Sequence, residues 1–581
     1  MSDRPFTKKE ATLAAAQLKN NKAVGEDQLP AEVLKHPAFL DLLLSFANLY
    51  LAGEVPLEVL QTRLVLVPKK GDLSLVENYR GIAIISSFLK FLNCLLLNRL
   101  RALDDLLRGG QNGFRPARGT TAHALSIALL AQLGHPLALL FVDFSKAFDH
   151  VSHEALQPML TAYRIPARLM SCITQCYKNH TIIISGSSLK YGVCSGVLQG
   201  DTLAPYLFIM LLNLLLEESI LPDDCFSLSK QQLPTPVIDP RLRPRRRMEF
   251  KIAELAYADD IAVPCPSEFA AERTLHRLQN AAASVGLGLN VAPGKTEIAL
   301  INTAAPTTIH DTQRVAVTVA KDYKYLGNRP LNLPKALNER IGQTWCAVRA
   351  ALPIWSSSAA IKVKVDLLRS FCTTILLYGC ELWEPSLYPT ADRAMTHMLK
   401  YCLRQFNSAE IDIYRQCKLP HVSSIAIERQ LLLIGHSLRI DCPLNRILAS
   451  TRPAASHQPL LSSIKRRIPY PINEWGVLAL DRKGWSELAR TAAESHEEKL
   501  QHKLLVARRH RWTSLPRLSH RVFLIIVENI SASLVSSSSS ADFFIARGKC
   551  DQLLSPLAMD THLNVFTRQS NAARDKRKNH Q

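Results

Sequence analysis

The tetrapeptide Tyr257-Ala258-Asp259-Asp260 constrains this chain more than any other feature, because it places two adjacent carboxylates between short apolar runs. The flanking apolar residues are Ile252, Ala253, Leu255 and Ala256 before it and Ile261, Ala262 and Val263 after it. This pattern predicts a strand, a tight turn and a second strand, with both carboxylates at the tip. Adjacent carboxylates repel each other and resist removal from water, so a buried hairpin that carries them usually binds a cation. A divalent-metal site for phosphoryl transfer is one interpretation, and a solvated turn with two aspartates is the other.

The composition of the 581-residue chain is that of a globular protein with a strong excess of positive charge. Apolar residues make up 47% and charged residues 21%, and this length accommodates about three or four domains with sizeable cores. The 70 Lys and Arg residues outnumber the 50 Asp and Glu residues, which gives a net charge of +20 and a pI near 9.5. Such a charge favours a polyanionic partner. Nucleic acid is favoured over anionic membrane, because no amphipathic basic helix or lipidation signal is found.

The sequence contains no pattern typical of export or membrane insertion. The first ten residues, MSDRPFTKKE, are polar and lack the apolar segment of a signal peptide. The most apolar stretches, residues 125–142 and 204–216, are interrupted or too short to span a bilayer. The thirteen cysteines include no Cys-x-x-Cys pair, which favours free thiols in a reducing compartment. We therefore expect an intracellular protein of the nucleus or the cytoplasm, with no membrane partner.

An alternative metal site is suggested by residues 172–180. Cys172, Cys176 and His180 are spaced four residues apart, so they would lie on one face of a helix. A zinc site there would need a fourth ligand, which is not evident in the sequence. A buried helix face is the competing interpretation.

The order of predicted helices and strands divides the chain into four segments. They are an N-terminal helical element at 1–60, a mixed region at 61–305 that carries the hairpin, a helical region at 306–450 and a C-terminal extension at 451–581. Within the mixed region, residues 63–68 and 79–85 predict a second hairpin with a basic tip. The basic run at 240–247 is either a solvated loop or a contact for nucleic-acid phosphates. The extension holds a serine-rich stretch at 531–540 and a basic tail at 574–578.

A two-metal site needs a third carboxylate, and Asp143 is the best candidate. It ends an apolar run, at the position from which a strand's last side chain projects over the sheet edge. Asp149 is a rival, but it falls in the following turn and is expected to cap the next helix. Further along, Gln199 precedes Gly200, where the absence of a side chain lets the backbone approach a ligand closely. A strand-to-helix turn with a capping residue is the alternative interpretation of that segment.

Ordered motifs run through most of the chain. They are LVLVPKKGD with NYRGIAII, QNGFRPARGT, LFVDFSKAFDHVSH, GVLQGDTLAPYLF, LAYADDIAV, GLGLNVAPGKTEI and YKYLG. This series resembles the reverse transcriptases of non-LTR (LINE-type) retrotransposons. The opening LKNNKAVGEDQLPAEVLK and the downstream LLRSFCTTILLYGCELW and ERQLLLIGHSLRI extend the resemblance over residues 10–445.

The resemblance implies an α+β fold of the right-hand polymerase type. Residues 61–305 would form the fingers and an antiparallel palm sheet backed by helices, with residues 1–60 leading into the fingers. Residues 306–450 would form a helical thumb and post-thumb region, followed by a helical C-terminal extension. The implied partners are an RNA template, a DNA primer or target, and dNTPs.

The resemblance also implies a role for each residue that matches a family motif. Asp143, Asp259 and Asp260 would bind two catalytic Mg²⁺ ions, with Mn²⁺ as a substitute. Lys295 would protonate the departing pyrophosphate. The nucleotide-binding residues would be Lys69, Arg80, Phe148, Gln199 and Gly200, with Phe148 rejecting a 2′-hydroxyl. The template- and primer-binding residues would be Gly113, Phe114, Arg115, Tyr325, Leu326 and Gly327. Ordinary packing or solvation is the alternative for Phe148, Lys295 and the last two segments.

The chain departs from that family in two respects. The residues before the motifs leave no room for an upstream apurinic-type endonuclease, and no Cys-Cys-His-Cys knuckle or Pro-Asp…Asp signature follows them. We therefore expect a polymerase without its own endonuclease, which is either a fragment, a truncated copy, or a product that relies on a separate endonuclease. Glu26 and Gln28 replace a proline and a glycine that the family commonly has, which affects a local turn.

Two other classes of protein compete with this interpretation. The first is a related polymerase, either a group II intron maturase or an RNA-dependent RNA polymerase. Phe148 argues against ribonucleotide use, and LLYGCELW and LIGHSLRI favour the retrotransposon branch. The second is a non-catalytic nucleic-acid-binding protein derived from a retroelement. The intact set of Asp143, Asp259 and Asp260 argues against it, because a binding protein gains nothing from carboxylates that face a phosphate backbone.

Overall fold

The structure, a computed structural model, describes residues 2–54, 57–69, 71–187, 189–229, 249–303, 308–450 and 459–514. The basic run at 240–247, the serine-rich stretch at 531–540 and the basic tail at 574–578 lie outside the described residues. The chain divides into two compact units, Met1–Lys499 and Leu500–Gln581. Both main β-sheets and all candidate site residues belong to the first unit. The described residues of the second unit, 500–514, are helical.

The strands of the described residues form two larger sheets and one small one. They are β1 Gln61–Pro68, β2 Tyr79–Ile84, β3 Leu137–Val142, β4 Thr181–Ile184, β5 Lys190–Gly192, β6 Phe226–Ser229, β7 Glu249–Ile252, β8 Leu255–Tyr257, β9 Asp260–Cys265, β10 Glu297–Ile301 and β11 Thr318–Val319. The first sheet has the order β2-β1-β4-β5 and the central sheet the order β11-β10-β3-β9-β8, while β6 pairs with β7. Helices therefore intervene between several strands that become neighbours.

Strand β3 lies in the middle of the central sheet and is buried along its whole length. Its side chains alternate between two hydrophobic cores. Leu140 and Val142 pack in one core with helices on one face, and Leu139 and Phe141 pack in the other. Because both faces are covered, the strand is continuously apolar rather than alternating in polarity.

The hairpin predicted at residues 257–260 is confirmed. Strands β8 and β9 pair antiparallel, with Tyr257 opposite Asp260 at the closing turn. The second predicted hairpin is also confirmed, since β1 and β2 pair antiparallel from Arg63 opposite Ile84 to Pro68 opposite Tyr79. The parallel pairing of β1 with β4 was not predicted, because it joins segments more than one hundred residues apart that carry no local signal.

Helices cover both faces of the central sheet and make up most of the described residues beyond residue 333. They are α1 Lys8–Gln17, α2 Ala31–Leu34, α3 Pro37–Leu51, α4 Ser87–Leu100, α5 Thr120–Ala131, α6 Ala147–His150, α7 His153–Ala162, α8 Ala167–Lys178, α9 Ala204–Ser219, α10 Glu268–Ser284, α11 Leu333–Ala350, α12 Leu352–Ser356, α13 Ile361–Leu367, α14 Thr373–Leu376, α15 Tyr388–Leu403, α16 Glu410–Cys417, α17 Val422–Leu438, α18 Pro443–Ser450, α19 Pro459–Arg467, α20 Trp475–Leu478 and α21 Arg482–Ser514. None of the described helices is long and apolar enough to cross a membrane. The predicted division at residues 60, 305 and 450 stays a prediction.

The turn that contains Glu26 and Gln28 survives both replacements. Gln28 adopts a left-handed backbone with φ of +54°, the conformation that a glycine at this position would adopt without strain. Its N–H bonds the Gly25 carbonyl at 3.2 Å. Glu26 forms a salt bridge with Arg63 of β1 at 2.8 Å, which ties the N-terminal element to the first sheet.

The zinc alternative at residues 172–180 finds no support. Cys172 and Cys176 are buried on α8, in the hydrophobic interior. His180 lies beyond the end of α8 and shares a hydrogen bond of 2.8 Å with the Thr62 hydroxyl. Among the described residues, no three His, Cys, Asp or Glu side chains are grouped as a metal site. The described cysteines are free thiols, so the buried helix face is the better interpretation.

A buried histidine cluster joins α16, α17 and α21. The His421 ring Nδ1 lies 2.8 Å from Glu497, and its Nε2 lies 3.3 Å from Glu410. Glu497 also accepts hydrogen bonds from the His421 N–H and the Ser424 hydroxyl. Burial alone would lower the pKa of His421, but hydrogen bonds from its ring to Glu410 and Glu497 overcome this and raise the pKa to about 9. The remaining titratable groups around it are Asp392, Tyr414 and His496.

This cluster predicts a loss of stability at alkaline pH. Because the folded pKa of about 9 exceeds the ordinary value of 6.5, His421 stabilises the fold fully below pH 6.5 and loses that effect as pH rises through 9. Denaturant unfolding at pH 6.5 and pH 9.5 is expected to show a decrease on the order of 2 to 3 kcal/mol. His421→Gln should remove most of that pH dependence, and His397→Gln, exposed on α15, should keep it. Equal slopes in both variants would contradict the assignment.

Candidate active site

The central sheet brings Asp143 next to the Asp259-Asp260 pair. Strands β3 and β9 are antiparallel neighbours, and Val142 pairs with Ile261. Asp143 follows Val142 and Asp260 precedes Ile261, so these two aspartates lie at the same edge of the sheet. Ala258 has a φ of +55°, a left-handed turn conformation that places Asp259 at the tip. Three carboxylates from two distant segments of the chain thus lie at the same edge of the central sheet.

The electrostatics of this edge favour a cation. Burial raises the pKa of Asp259 above its ordinary value. A hydrogen bond with its own backbone opposes this shift, and repulsion from Asp143 adds to it. Burial together with repulsion from Asp259 and Asp143 raises the pKa of Asp260 to about 6, although Lys295 opposes the shift. The Lys295 ammonium lies 3.5 Å from Asp143. In the part of the chain that the structure describes, no three His, Cys, Asp or Glu side chains form a group that could hold a metal ion.

The donor set of this edge fits magnesium. Carboxylate oxygens are the hard ligands that Mg²⁺ prefers. The raised pKa values of Asp259 and Asp260 indicate that the protein compensates the negative charge of this pair poorly. Hydrogen bonds also hold the backbone of Asp143 in place. Its N–H bonds the Thr296 hydroxyl at 3.2 Å, and its carbonyl accepts from the Asn290 N–H at 2.8 Å. Its backbone is therefore fixed before any ligand binds.

A loop at residues 110–114 supports the carboxylate turn from below. The Gln111 side-chain oxygen accepts hydrogen bonds from the Ala258 N–H at 2.9 Å and the Gly113 N–H at 2.8 Å. The backbone of Ala256 exchanges hydrogen bonds of 2.8 Å with Gly110 and Asn112. A Cβ atom on Gly113 would lie 2.3 Å from the Ala258 nitrogen. This loop, which we call the support loop, is therefore in direct contact with the turn that carries Asp259.

Gln111 was missed by sequence reasoning. It stands at the start of the QNGF motif, but only the three residues that follow Asn112 were assigned a role. A glutamine beside a glycine is common in turns, so its contact with a turn 147 residues away has no local signal.

Arg115 is engaged within the protein. Its guanidinium contacts the Asp104 carboxylate at 3.1 Å and the carbonyls of Arg108 and Gln111 at 2.9 and 3.0 Å. The side chain is buried. It stabilises the loop that precedes α5, and a direct contact with a template would require it to leave Asp104.

Phe148 lies between two other aromatic rings. It stacks on Phe208 of α9 with centroids 4.7 Å apart, and Phe114 meets it edge-on at 6.2 Å. Phe208 is fully buried, whereas Phe148 is half-buried and Phe114 is exposed. The predicted sugar-contacting residue thus borders both the hydrophobic core and the open face of the site.

The segment at residues 195–201 packs between α6 and the first sheet. The side-chain amide of Gln199 donates to the Asp149 carboxylate at 3.1 Å. The backbone carbonyl of Gln199 accepts from the Ala83 N–H of β2 at 2.8 Å. Gly200 has a φ of +122°, and a Cβ there would lie 2.5 Å from the Ala83 carbonyl. The glycine is therefore required for packing against β2, three residues from Arg80.

The prediction that Asp149 caps the next helix is wrong. Asp149 lies inside α6, and the cap of α7 is Ser152, whose hydroxyl accepts from the Glu154 N–H at 3.2 Å. The Asp149 side chain instead orients Gln199. The N-cap of α9 is Leu203, which makes no side-chain capping bond, and the buried Asp201 carboxylate instead accepts a hydrogen bond from the Asn93 amide at 2.7 Å.

Two basic residues project from the first sheet. Lys69 follows β1 and Arg80 lies on β2, and both are exposed. The hairpin brings them close, since Arg80 pairs with Val67 and the Lys69 N–H bonds the Asn78 carbonyl. In the described part of the chain Arg80 makes no salt bridge.

The turn Tyr325-Leu326-Gly327 is tied to the carboxylate hairpin. Tyr325 is buried, and its hydroxyl donates to the Leu255 carbonyl of β8 at 2.6 Å. The Leu326 carbonyl accepts from the Tyr378 hydroxyl at 2.9 Å, and the Gly327 carbonyl accepts from Arg340 at 2.6 Å. The turn therefore links β8 to α11 and the helices beyond it.

Comparison with known proteins gives one family match and several relatives. Residues 67–329 match the reverse transcriptase (RNA-dependent DNA polymerase) family. The chain is 27% identical over 69% of its length to a Retrovirus-related Pol polyprotein from type-1 retrotransposable element R2 of Popillia japonica, covering 55% of that protein. It is 29% identical over 35% of its length to the RNA-directed DNA polymerase from mobile element jockey of Drosophila funebris, covering 24% of it.

A third relative is the Transposon TX1 uncharacterized 149 kDa protein of Xenopus laevis, which is 26% identical over 56% of this chain and 24% of that protein. The chain thus spans little more than half of the R2 protein and about a quarter of the other two. The family match includes the support loop, all three carboxylates and the Tyr325 turn. Residues 67–329 therefore form a reverse transcriptase domain of the kind carried by non-LTR retrotransposons.

Proposed function

We propose that this chain is an RNA-directed DNA polymerase, which adds dNTPs to the 3′-hydroxyl of a primer on an RNA template. The observation that carries the proposal is the meeting of Asp143 with Asp259 and Asp260 at one edge of the central sheet, inside the reverse transcriptase domain. The net charge of +20 supports a nucleic-acid substrate.

The right-hand description of the fold follows from this assignment. The central sheet β11-β10-β3-β9-β8 corresponds to the palm, and the sheet β2-β1-β4-β5 with its basic residues corresponds to the fingers. The helices from α11 to α18 correspond to the thumb and post-thumb region. Contacts of Tyr325 and Arg340 support this division, because they connect the palm strand β8 with the first thumb helix.

In this proposal Asp143, Asp259 and Asp260 hold Mg²⁺, for which Mn²⁺ can substitute. The bound ions supply Lewis acidity that activates the primer hydroxyl and stabilises the leaving pyrophosphate. Asp143 is oriented by Thr296 and Asn290, and the Asp259 turn by Gln111. Lys295, beside Asp143, is placed to transfer a proton to the pyrophosphate.

The nucleotide would lie between the two sheets. Lys69 and Arg80 would contact the triphosphate, and their fixed positive charges would offset charge that develops during transfer. Gln199 and Gly200 would lie under the base, oriented by Asp149 and by β2. Phe148 would contact the sugar and exclude a 2′-hydroxyl by size.

The nucleic-acid strands would lie across the support loop and the Tyr325 turn. Gly113 would approach the template, and Tyr325, Leu326 and Gly327 the primer end. A nicked DNA target would supply the primer.

Primer extension by the purified chain tests the proposal. A DNA primer on an RNA template should be extended with dNTPs and Mg²⁺, the product should copy the template, and EDTA should stop the reaction until Mg²⁺ is restored. NTPs should be incorporated poorly. Binding of the hybrid without any extension would instead support the non-catalytic alternative, and a preference for NTPs would support an RNA polymerase.

Removal of Arg80 should weaken nucleotide binding more than the chemical step. Arg80→Ala is expected to raise the KM for dNTP by about 10-fold, because a charged contact to phosphate is lost. Steady-state extension over a dNTP titration measures this. The control is Arg168→Ala, exposed on α8 and outside the candidate site, for which KM should not change. An unchanged KM in Arg80→Ala would remove this residue from the nucleotide site.

A further inference from the structure

Phe114 has an unusual backbone for so large a side chain. Its φ is +56°, and it is the only aromatic residue with a positive φ in the described part of the chain. A bulky residue in the left-handed region is strained, and such strain persists only where the surroundings enforce it. Its ring is also 47% exposed, so it contributes little to a hydrophobic core.

The support loop enforces this conformation. Gly113 leaves no space for a side chain against Ala258, and Gln111 bonds both the Gly113 and Ala258 N–H groups. On the other side, the Asn112 amide donates to the Gly119 carbonyl at 3.1 Å. With the backbone held on both sides, the ring of Phe114 is directed to one place.

That place is the edge of Phe148. The two rings are nearly perpendicular, at 81°, with centroids 6.2 Å apart. This is a favourable edge-to-face arrangement. On its other face, Phe148 stacks on Phe208 at 22°. Phe208 is buried on α9 and cannot move readily, so Phe114 is the neighbour that limits displacement of Phe148 toward the open site.

We propose that Phe114 is a specificity-determining residue, which holds the ring of Phe148 in the position that rejects ribonucleotides. The inference rests on the proposed function, since it assigns Phe148 to the sugar of the incoming nucleotide. It changes the role expected for Phe114 from template contact to support of sugar selection. Through Gln111, the same loop holds the turn that bears Asp259, so sugar selection and metal binding share one support.

A double-mutant cycle on discrimination tests this. The measured quantity is kcat/KM for a dNTP divided by kcat/KM for the matching NTP on an RNA template. Phe114→Ala is expected to lower this ratio by about 10-fold, while kcat for the dNTP changes by less than about 3-fold. Phe148→Ala should lower the ratio further. The double variant should equal Phe148→Ala alone, because Phe114 acts through that ring.

Two further variants separate selection from folding. Phe114→Tyr keeps the ring and should keep the ratio of the unaltered chain. Phe406→Ala removes a phenylalanine that is 60% exposed between α15 and α16, and it should leave the ratio unchanged. Thermal unfolding of each variant checks the fold.

An unchanged ratio in Phe114→Ala, or additive effects in the double variant, would overturn the inference. In that case RNA-templated extension by the unaltered chain would still uphold the proposed function. Absence of extension by the unaltered chain would reject the proposed function, and the inference with it.

Discussion

Asp259→Asn is expected to lower the rate of RNA-templated DNA synthesis about 1000-fold or more. The substitution keeps the shape of the side chain but removes a metal-binding charge at the turn between β8 and β9. A loss of this size corresponds to about 4 kcal/mol of transition-state stabilisation. Single-turnover extension of a preformed primer–template complex at saturating dNTP measures it.

The same variant should not be less stable than the unaltered chain. The raised pKa of Asp259, which burial causes, shows that its ionised form is disfavoured in the folded protein. Replacing it by a neutral amide therefore removes an unfavourable charge, and the thermal midpoint should stay or rise. Affinity for the RNA–DNA hybrid should also be retained. Lost activity with unchanged or increased stability distinguishes a catalytic group from a structural one.

Asp105→Asn is the matched control. Asp105 is exposed on the turn after α4, and the same change of charge there should leave the extension rate unchanged. Extension by Asp259→Asn at a rate within about 10-fold of the unaltered chain would contradict the assignment of the metal site.

Gly113→Ala is expected to reduce the extension rate about 100-fold and to destabilise the domain by about 2 to 4 kcal/mol. A Cβ at this position would lie 2.3 Å from the Ala258 nitrogen and 3.0 Å from its Cα. Both are backbone atoms of the turn, so the clash cannot be relieved by rotation of a side chain. The turn itself must shift, and a displacement of Asp259 by about 1 Å is enough for such a loss of rate.

The effect should fall mainly on kcat, because Gly113 packs against the turn that carries Asp259. Gly119→Ala provides the control in the same motif. A Cβ on Gly119 meets nothing within 4 Å, and its φ of −135° is accessible to any residue. Its activity and unfolding midpoint should match those of the unaltered chain. Equal behaviour of the two variants would show that the support loop does not position the carboxylates.

Much of the local structure could be predicted from the sequence. The hairpin at 257–260 follows from apolar runs on either side of a short polar turn, and β8 and β9 form it as predicted. Helix α10 begins after Ser267, whose hydroxyl accepts from the Ala270 N–H at 3.2 Å, and a serine at this position is a local signal for a helix start. These features depend on residues within a few positions of each other, so the pattern of one segment is sufficient to predict them.

The side-chain environment of the site was less predictable. Asp149 matched a helix cap by spacing, but it orients Gln199, which is 50 residues away. Arg115 matched a template contact by motif, but it is buried against Asp104. Neither contact could be read from the sequence, because a polar side chain has several possible partners of equal local merit and only packing selects among them. The template role of Arg115 stays a prediction.

The sequence by itself determined the chemistry of this protein. Two adjacent aspartates on a hairpin, a third after an apolar strand and a basic composition together favour a cation and a polyanionic partner. Only the tertiary structure decided how those groups are held. The register of β3 against β9 sets Asp143 beside Asp260, and Gln111 holds the turn that bears Asp259. The physical reason is that charge repulsion is a property of residue type, whereas alignment across 116 residues (259 − 143) depends on how the sheet packs.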